Sequence, residues 1–206
     1  FRSVQKIDDL GLWSNAIVVF TSDHGISIGE HGRTGESNIS SRDDRFWPIY
    51  PEVAHVPFMV AAPGLDGGRT VDALMQPPDT LPTLLDLAGL AVTPPEPFHG
   101  RSMAQVLRGH TEEAPREFAI TAQHLRRDAG ARQSPNWTTP VLYTERWAYA
   151  PIGANREAEL YDIVSDPYAQ SDVAPEHPDV VAQLHEKLVS WLREIDAPPE
   201  AIEVLE

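Results

Sequence analysis

Residues 18–32 read VVFTSDHGISIGEHG, an apolar run that passes straight into Asp23, His24, Ser27, Glu30 and His31, with glycines at 25, 29 and 32. Aspartate offers a hard anionic oxygen and neutral histidine a borderline nitrogen, a pair suited to Mn²⁺, Zn²⁺ or Fe²⁺ and less well to Ca²⁺. Neighbours on an extended strand point to opposite faces, so both side chains reach one ion only if the backbone turns at His24 or Gly25, and glycine permits that turn. Two ligands fall short of the roughly four to six that such ions take. A metal site here therefore draws further ligands from elsewhere, and Glu30 and His31 are the local candidates. The plainer reading of the triplet is a simple turn, with Asp23 accepting backbone N–H groups and His24 half exposed. A third reading is nucleophilic: Gly25-Ile26-Ser27-Ile28-Gly29 matches G-x-S-x-G, which would make Ser27 a serine-hydrolase nucleophile, with His99, His110, His124 and Asp162 as nominal partners. That elbow needs a helix directly after the serine, whereas GEHGRTGES carries three more glycines and no apolar periodicity.

The elements that position these residues follow from the flanking pattern. FRSVQKIDDLGLW spaces Phe1, Val4, Ile7 and Leu10 helically with no cap before them, so the chain reads as starting inside a helix that stops near Gly11. Ala16–Phe20 is short and apolar on both faces, the pattern of a covered strand as in a parallel sheet, and VPFMVAAPG at 56–64 reads the same way. DTLPTLLDLAG then predicts a helix with Asp79 as N-cap and Gly89 as stop. A proline-rich joint, TPPEP, follows at 93–97. Beyond it EFAITAQ, VLYTERWAYAP and AELYDI predict a small antiparallel sheet. The chain closes with one helix, in which Pro178 suits the first turn and Val180, Leu184, Leu188, Trp191 and Ile195 form one stripe, until Pro198 and Pro199 end it. The expected fold class is α/β: part of a mixed sheet with flanking helices over 1–112, and a small C-terminal antiparallel sheet packed with one helix over 113–206.

Composition narrows the function. The 206 residues are 41% hydrophobic and 23% charged, as in a folded domain, and no run of 18 or more apolar residues could span a bilayer. A formal net charge of -15 with sixteen scattered Lys and Arg argues against nucleic acid and against a membrane surface of anionic headgroups. There is no cysteine, which excludes disulfides, thiolate nucleophiles and Cys-based zinc sites within this chain.

Five stretches, in this order, resemble the C-terminal half of sulfatases of the alkaline phosphatase superfamily, near arylsulfatases and phosphonate monoester hydrolases. LGLWSNAIVVFTSDHGISIGEHG resembles the family's strand bearing two metal ligands, and AHVPFMVAAPG the following core strand. TLPTLLDLAGL resembles a later helix, HGRSMAQVLRG the segment leaving the large domain, and ELYDIVSDPYAQSDVA the Leu-Tyr-Asp turn of the small C-terminal domain. The resemblance implies that Asp23 and His24 bind one catalytic divalent cation, Ca²⁺, Mn²⁺ or Zn²⁺, with His24 leaning toward Mn²⁺ or Zn²⁺. It implies a hydrolase of sulfate esters, or of related phosphate or phosphonate esters, whose nucleophile is a formylglycine made from Cys or Ser in a Cys/Ser-x-Pro-x-Arg motif. No such motif occurs here. The formylglycine and two further Asp ligands are expected in an N-terminal half of the same protein, which would then be this chain's partner, and this chain alone is expected to be catalytically incomplete.

One position departs from the family pattern. Where the family usually places a lysine that contacts the substrate anion, HGRTGES has Glu36. A carboxylate about 4 Å from an anionic ester turns an attraction of a few kcal/mol into a comparable repulsion. Three readings stand: Glu36 points away and Arg33 supplies the cation; Glu36 serves a changed substrate or metal; or the protein is a non-catalytic, sulfatase-like member. Arg33, Glu36 and His31 are accordingly the candidate catalytic residues, the first two also as substrate ligands. Phe46, Trp47 and Tyr50 are candidates for an aromatic pocket or, equally, for packing their loop onto the sheet. His55, before the second core strand, is read as structural first and catalytic second.

Overall fold

A computed structural model describes residues 2–35, 37–39, 45–93, 98–121 and 138–206. In chain order it contains α1 (Arg2–Asp9), β1 (Val18–Thr21), β2 (Ser27–Ile28), β3 (Arg33–Gly35), β4 (Ser37–Asn38), β5 (Trp47–Pro48), α2 (Pro51–Ala54), β6 (Phe58–Ala61) and α3 (Thr80–Leu87). There follow α4 (Ala104–Leu107), β7 (Ala119–Thr121), β8 (Thr138–Thr139), β9 (Val141–Tyr143), β10 (Trp147–Ala150), β11 (Glu159–Asp162), α5 (Pro178–Glu194) and α6 (Pro199–Glu203). The chain divides into two compact units, Phe1–Asp23 with Pro57–Ala119, and His24–Val56 with Ile120–Glu206. The mixed α/β class expected from the sequence is what is observed, small sheets with helices and a four-stranded antiparallel sheet.

In the first unit, α1 ends as its pattern requires, with Gly11 in the left-handed region at φ 62° and its N–H on the Asp8 carbonyl. β1 pairs with β6, but antiparallel, with Val18 opposite Ala61 and Thr21 opposite Phe58. The two apolar runs, expected as covered strands as in a parallel sheet, are here antiparallel neighbours. An apolar run reports how much of a strand is covered and says nothing of the direction of its neighbour. Nor are these strands fully covered: Phe20 and Met59, paired across the ladder, are 62% and 60% exposed.

Asp79 also differs from expectation. Its carboxylate does not cap α3. It stands at the expected N-cap position, fully buried at the end of a short 3₁₀ turn (Pro77–Asp79), and accepts instead the N–H groups of Gln76 and Arg101, both at 2.7 Å. The Arg116 guanidinium adds a two-pronged ion pair, with Nε at 2.9 Å from Oδ2. Thr83 continues the bracket, donating to the Asp79 carbonyl at 2.6 Å and accepting the Met103 N–H at 3.0 Å. Three separated stretches of the unit are thus tied to one turn, with Met103, Ala104 and Val106 buried beside it.

The second unit holds the expected small antiparallel sheet, in the order β11-β10-β9-β7. Its residues Val141, Leu142, Ala148, Tyr149 and Leu160 are buried, and Leu184, Leu188, Val189 and Leu192 of α5 are buried as well. Tyr149 of β10 reaches His185 of α5 through a 2.9 Å hydrogen bond, so helix and sheet meet directly. The buried stripe of α5 runs through Leu184, Leu188 and Leu192 rather than through Trp191 and Ile195, which are partly exposed. Pro199 opens α6 instead of simply ending the chain's helices, because proline is favoured at a first helical position as much as it is excluded from an interior.

Candidate metal and substrate loop

The residues that could do chemistry follow β1. Asp23 closes the first unit, is exposed, and its Oδ1 lies 3.4 Å from the Ser22 hydroxyl. His24 opens the second unit and is exposed. Its Nδ1 is 2.6 Å from the Gly25 carbonyl oxygen, an acceptor, so Nδ1 donates to it. Metal-binding histidines commonly hold their second nitrogen in this way, with N–H on a backbone carbonyl and the other nitrogen presented to the ion. The donor types and this hydrogen bond fit a divalent cation of borderline softness. Among the described residues no group of three or more His, Asp or Glu is close enough to hold a metal.

Gly25 is required for space rather than for its turn. Its φ is not in the left-handed region, and a Cβ there would run into the carbonyl of Glu52 on α2. That close approach lets the Gly25 N–H donate to the Val53 carbonyl at 2.8 Å. Next along the chain, Ser27 is completely buried on β2, and its hydroxyl donates to Glu52 Oε1 at 3.3 Å. The serine-hydrolase reading fails here. A nucleophile must meet its substrate, whereas Ser27 sits on a strand followed by a tight turn, facing a carboxylate in place of an imidazole. The partners nominated for it have other engagements: His110 bonds Gln105 at 3.0 Å and Asp162 bonds Arg146 at 2.9 Å. His99 is exposed, and His124 lies outside the described residues.

His31 is drawn inward. It adopts φ 52° between two glycines of positive φ, Gly29 and Gly32, a conformation histidine tolerates better than most residues. Its ring stacks on Tyr50 at 3.7 Å between centroids. Nδ1 lies 2.9 Å from Glu52 Oε1, and Nε2 lies 2.8 Å from the Ala169 carbonyl. Both partners are acceptors, an arrangement that favours the protonated ring, while the Gln170 amide nitrogen lies 3.4 Å from the same Nε2. Burial by itself pulls the His31 pKa down, but the Glu52 hydrogen bond, the Ala169 carbonyl and the charges of Glu52 and Glu159 outweigh it, and the net direction is up from 6.5. Below that, Glu159 accepts from the hydroxyls of Tyr50 and Tyr161 at 2.8 and 2.9 Å and from the Ala154 N–H at 2.6 Å. Burial comes first among the causes that push both phenols far above 10, so they serve as donors and not as bases.

A consequence for stability follows. A folded-state pKa above the unfolded one means that the His31 contribution is complete below about pH 6.5 and fades as pH rises through the folded value. In denaturant titrations the stability gap between the native sequence and His31→Gln is expected to be largest on the acid side and to shrink toward alkaline pH. A gap independent of pH would exclude a charged His31.

Arg33 is also buried, fully so. Its guanidinium bonds the Phe46 carbonyl and lies over the Trp47 ring, 5.1 Å from the centroid. Trp47 and Tyr50 are buried at 6% and 3%, and Phe46 packs under the Arg156 guanidinium at 4.7 Å. These aromatics therefore pack their loop within the second unit and do not line an open pocket. His55 is exposed. Glu36 lies outside the described residues. Sequence reasoning passed over Glu52, although a carboxylate between Tyr50 and the core strand 58–61, directly after the helix-opening Pro51, is a legible signal for an inward acid.

Residues 2–90 match the sulfatase family model. An endo-4-O-sulfatase of Bacteroides thetaiotaomicron is 31% identical over 207 residues, covering 95% of this chain and 39% of that protein. Human arylsulfatase K is 28% identical over 91% of this chain and 33% of its own length. Among solved structures, a 2-O GAG sulfatase superposes with a TM-score of 0.67 at 29% identity, over 90% of this chain and 40% of that one. The phosphonate monoester hydrolase of Agrobacterium radiobacter does so with a TM-score of 0.71 at 27% identity, over 94% and 38%. The chain thus spans about two fifths or less of the proteins it matches.

Proposed function

We propose, from the match of residues 2–90 to the sulfatase family and the sulfatase relatives, that this chain belongs to the sulfatase family of the alkaline phosphatase superfamily and that the protein carrying it hydrolyses sulfate esters, with phosphate or phosphonate esters as the related class. The family generally uses a divalent metal and a formylglycine nucleophile. What supports the reading is the Asp23-His24 sequence directly after β1, with the His24 Nδ1 held 2.6 Å from the Gly25 carbonyl oxygen. A divalent cation there would neutralise charge on the anionic ester and orient the nucleophile. Asp23 supplies an anionic oxygen and His24 a neutral nitrogen, and this donor pair favours Mn²⁺ or Zn²⁺ over Ca²⁺. The nucleophile and the remaining ligands are assigned to polypeptide outside these 206 residues. We further read 1–112 as the C-terminal part of a large metal-binding domain and 113–206 as a small C-terminal domain.

A second reading has one observation in its favour. If Arg33 were to replace the family's lysine toward the substrate, its guanidinium would have to leave the Phe46 carbonyl and the Trp47 ring. With Arg33 so engaged and glutamate at position 36, a sulfatase-like protein without turnover is the competing proposal.

One experiment separates the two. The complete protein is assayed with an aryl sulfate, a phosphate diester and a phosphonate monoester, before and after chelation. The hydrolase reading expects turnover, greatest for the sulfate, that chelator removes and Mn²⁺ restores. Negligible turnover of all three by protein that demonstrably binds the metal would establish the non-catalytic reading.

A further inference from the structure

The loop that follows His24 is held by a single turn of helix. Within the second unit, α2 touches it at three places: the Val53 carbonyl takes the Gly25 N–H at 2.8 Å, and Glu52 Oε1 takes the Ser27 hydroxyl at 3.3 Å and the His31 imidazole at 2.9 Å. Tyr50, just before α2, adds the stacked face against His31. The Glu52 side chain is 11% exposed and His31 12%, so these bonds form largely out of water, where hydrogen bonds to a carboxylate are strongest. The first of the three contacts falls on the residue after His24. That residue's carbonyl, in turn, holds the His24 Nδ1 proton.

From this arrangement we propose that Glu52 is a positioning residue for the metal-binding imidazole. It clasps Ser27 and His31, draws α2 against Gly25, and so sets where the His24 ring sits and which nitrogen it presents. Glu52 itself touches neither ion nor ester in this scheme. The inference rests on His24 being a metal ligand, which is the reading proposed above. Outer groups that orient a ligand typically change metal affinity by about 10- to 100-fold when removed. A residue that merely held the fold together would leave affinity unchanged wherever the variant is still folded.

The test uses the complete protein, stripped with chelator, and reads Mn²⁺ binding by titration calorimetry together with Mn²⁺-induced broadening of the His24 ring signals in NMR. His24→Ala, E52A and E52Q are compared at a temperature at which each metal-free variant is folded by circular dichroism. E52A is expected to bind Mn²⁺ at least about tenfold more weakly than the native protein. E52Q should fall between them, because its amide oxygen can still accept from Ser27 or His31 but carries no charge. Should E52A fail to fold, E52Q carries the comparison. If His24→Ala loses binding while the Glu52 variants stay within about twofold of native, the positioning role is refuted and the metal site stands. If His24→Ala binds Mn²⁺ as the native protein does, the ligand assignment itself is wrong and the Glu52 proposal goes with it.

Discussion

Replacing His24 with alanine in the complete protein is expected to lower turnover of an aryl sulfate by on the order of 10³-fold and to remove Mn²⁺ binding. Stabilising charge at a reacting anion is worth several kcal/mol, and about 1.4 kcal/mol corresponds to a tenfold change in rate. His24 is exposed, so its removal should cost little stability. Asp23→Asn keeps the shape and removes the anionic oxygen, and should weaken the metal in the same direction by less. The readouts are kcat/KM on the sulfate and calorimetric Mn²⁺ titration. A folded His24→Ala protein with native turnover and native metal affinity would remove the basis of the hydrolase proposal.

The second large effect is on stability. Asp79→Ala is expected to destabilise the first unit by about 3–5 kcal/mol, the usual consequence of removing one partner from a buried ion pair. The substitution deprives the Gln76 and Arg101 N–H groups of their acceptor and leaves Arg116, itself 11% exposed, without its counter-charge. Set against the roughly 5–15 kcal/mol by which domains are stable at all, such a loss is a large fraction. Asp79→Asn should cost less, because an amide oxygen still accepts one of the backbone donors. Urea unfolding would check both, and a loss below about 1 kcal/mol for Asp79→Ala would show that the bracket does not stabilise the fold.

Wherever the signal was local, the sequence was sufficient. The helix over 2–9 with its stop at Gly11, the long helix opened by Pro178, and the strands around 119, 141, 147 and 159 all follow from apolar spacing and from glycine or proline at the ends. Residue type alone is also what nominates Asp23 and His24 as candidate donors after a strand. What failed was partner choice. Two apolar runs read as strands covered as in a parallel sheet, and they pair with each other antiparallel. Asp79 stands at the N-cap position the sequence indicated, but its carboxylate accepts from residues 22 and 37 positions along rather than from α3. Ser27 fits a nucleophile motif in the linear text but is buried against Glu52, 25 positions away.

The candidate site shows the same division. The sequence by itself determined which elements form and which side chains have metal-binding chemistry, because helix period, strand alternation and donor type are properties of a few neighbouring residues. The tertiary structure alone decided that the His31 ring is drawn in between Glu52 and Ala169, that Arg33 turns inward onto Trp47, and that Gly25 makes room for α2. Those outcomes depend on groups as far as 138 residues apart meeting at about 3 Å in a place from which water is largely excluded. There a charge or a polar group is stable only if a specific partner arrives, and periodicity does not encode which partner that is.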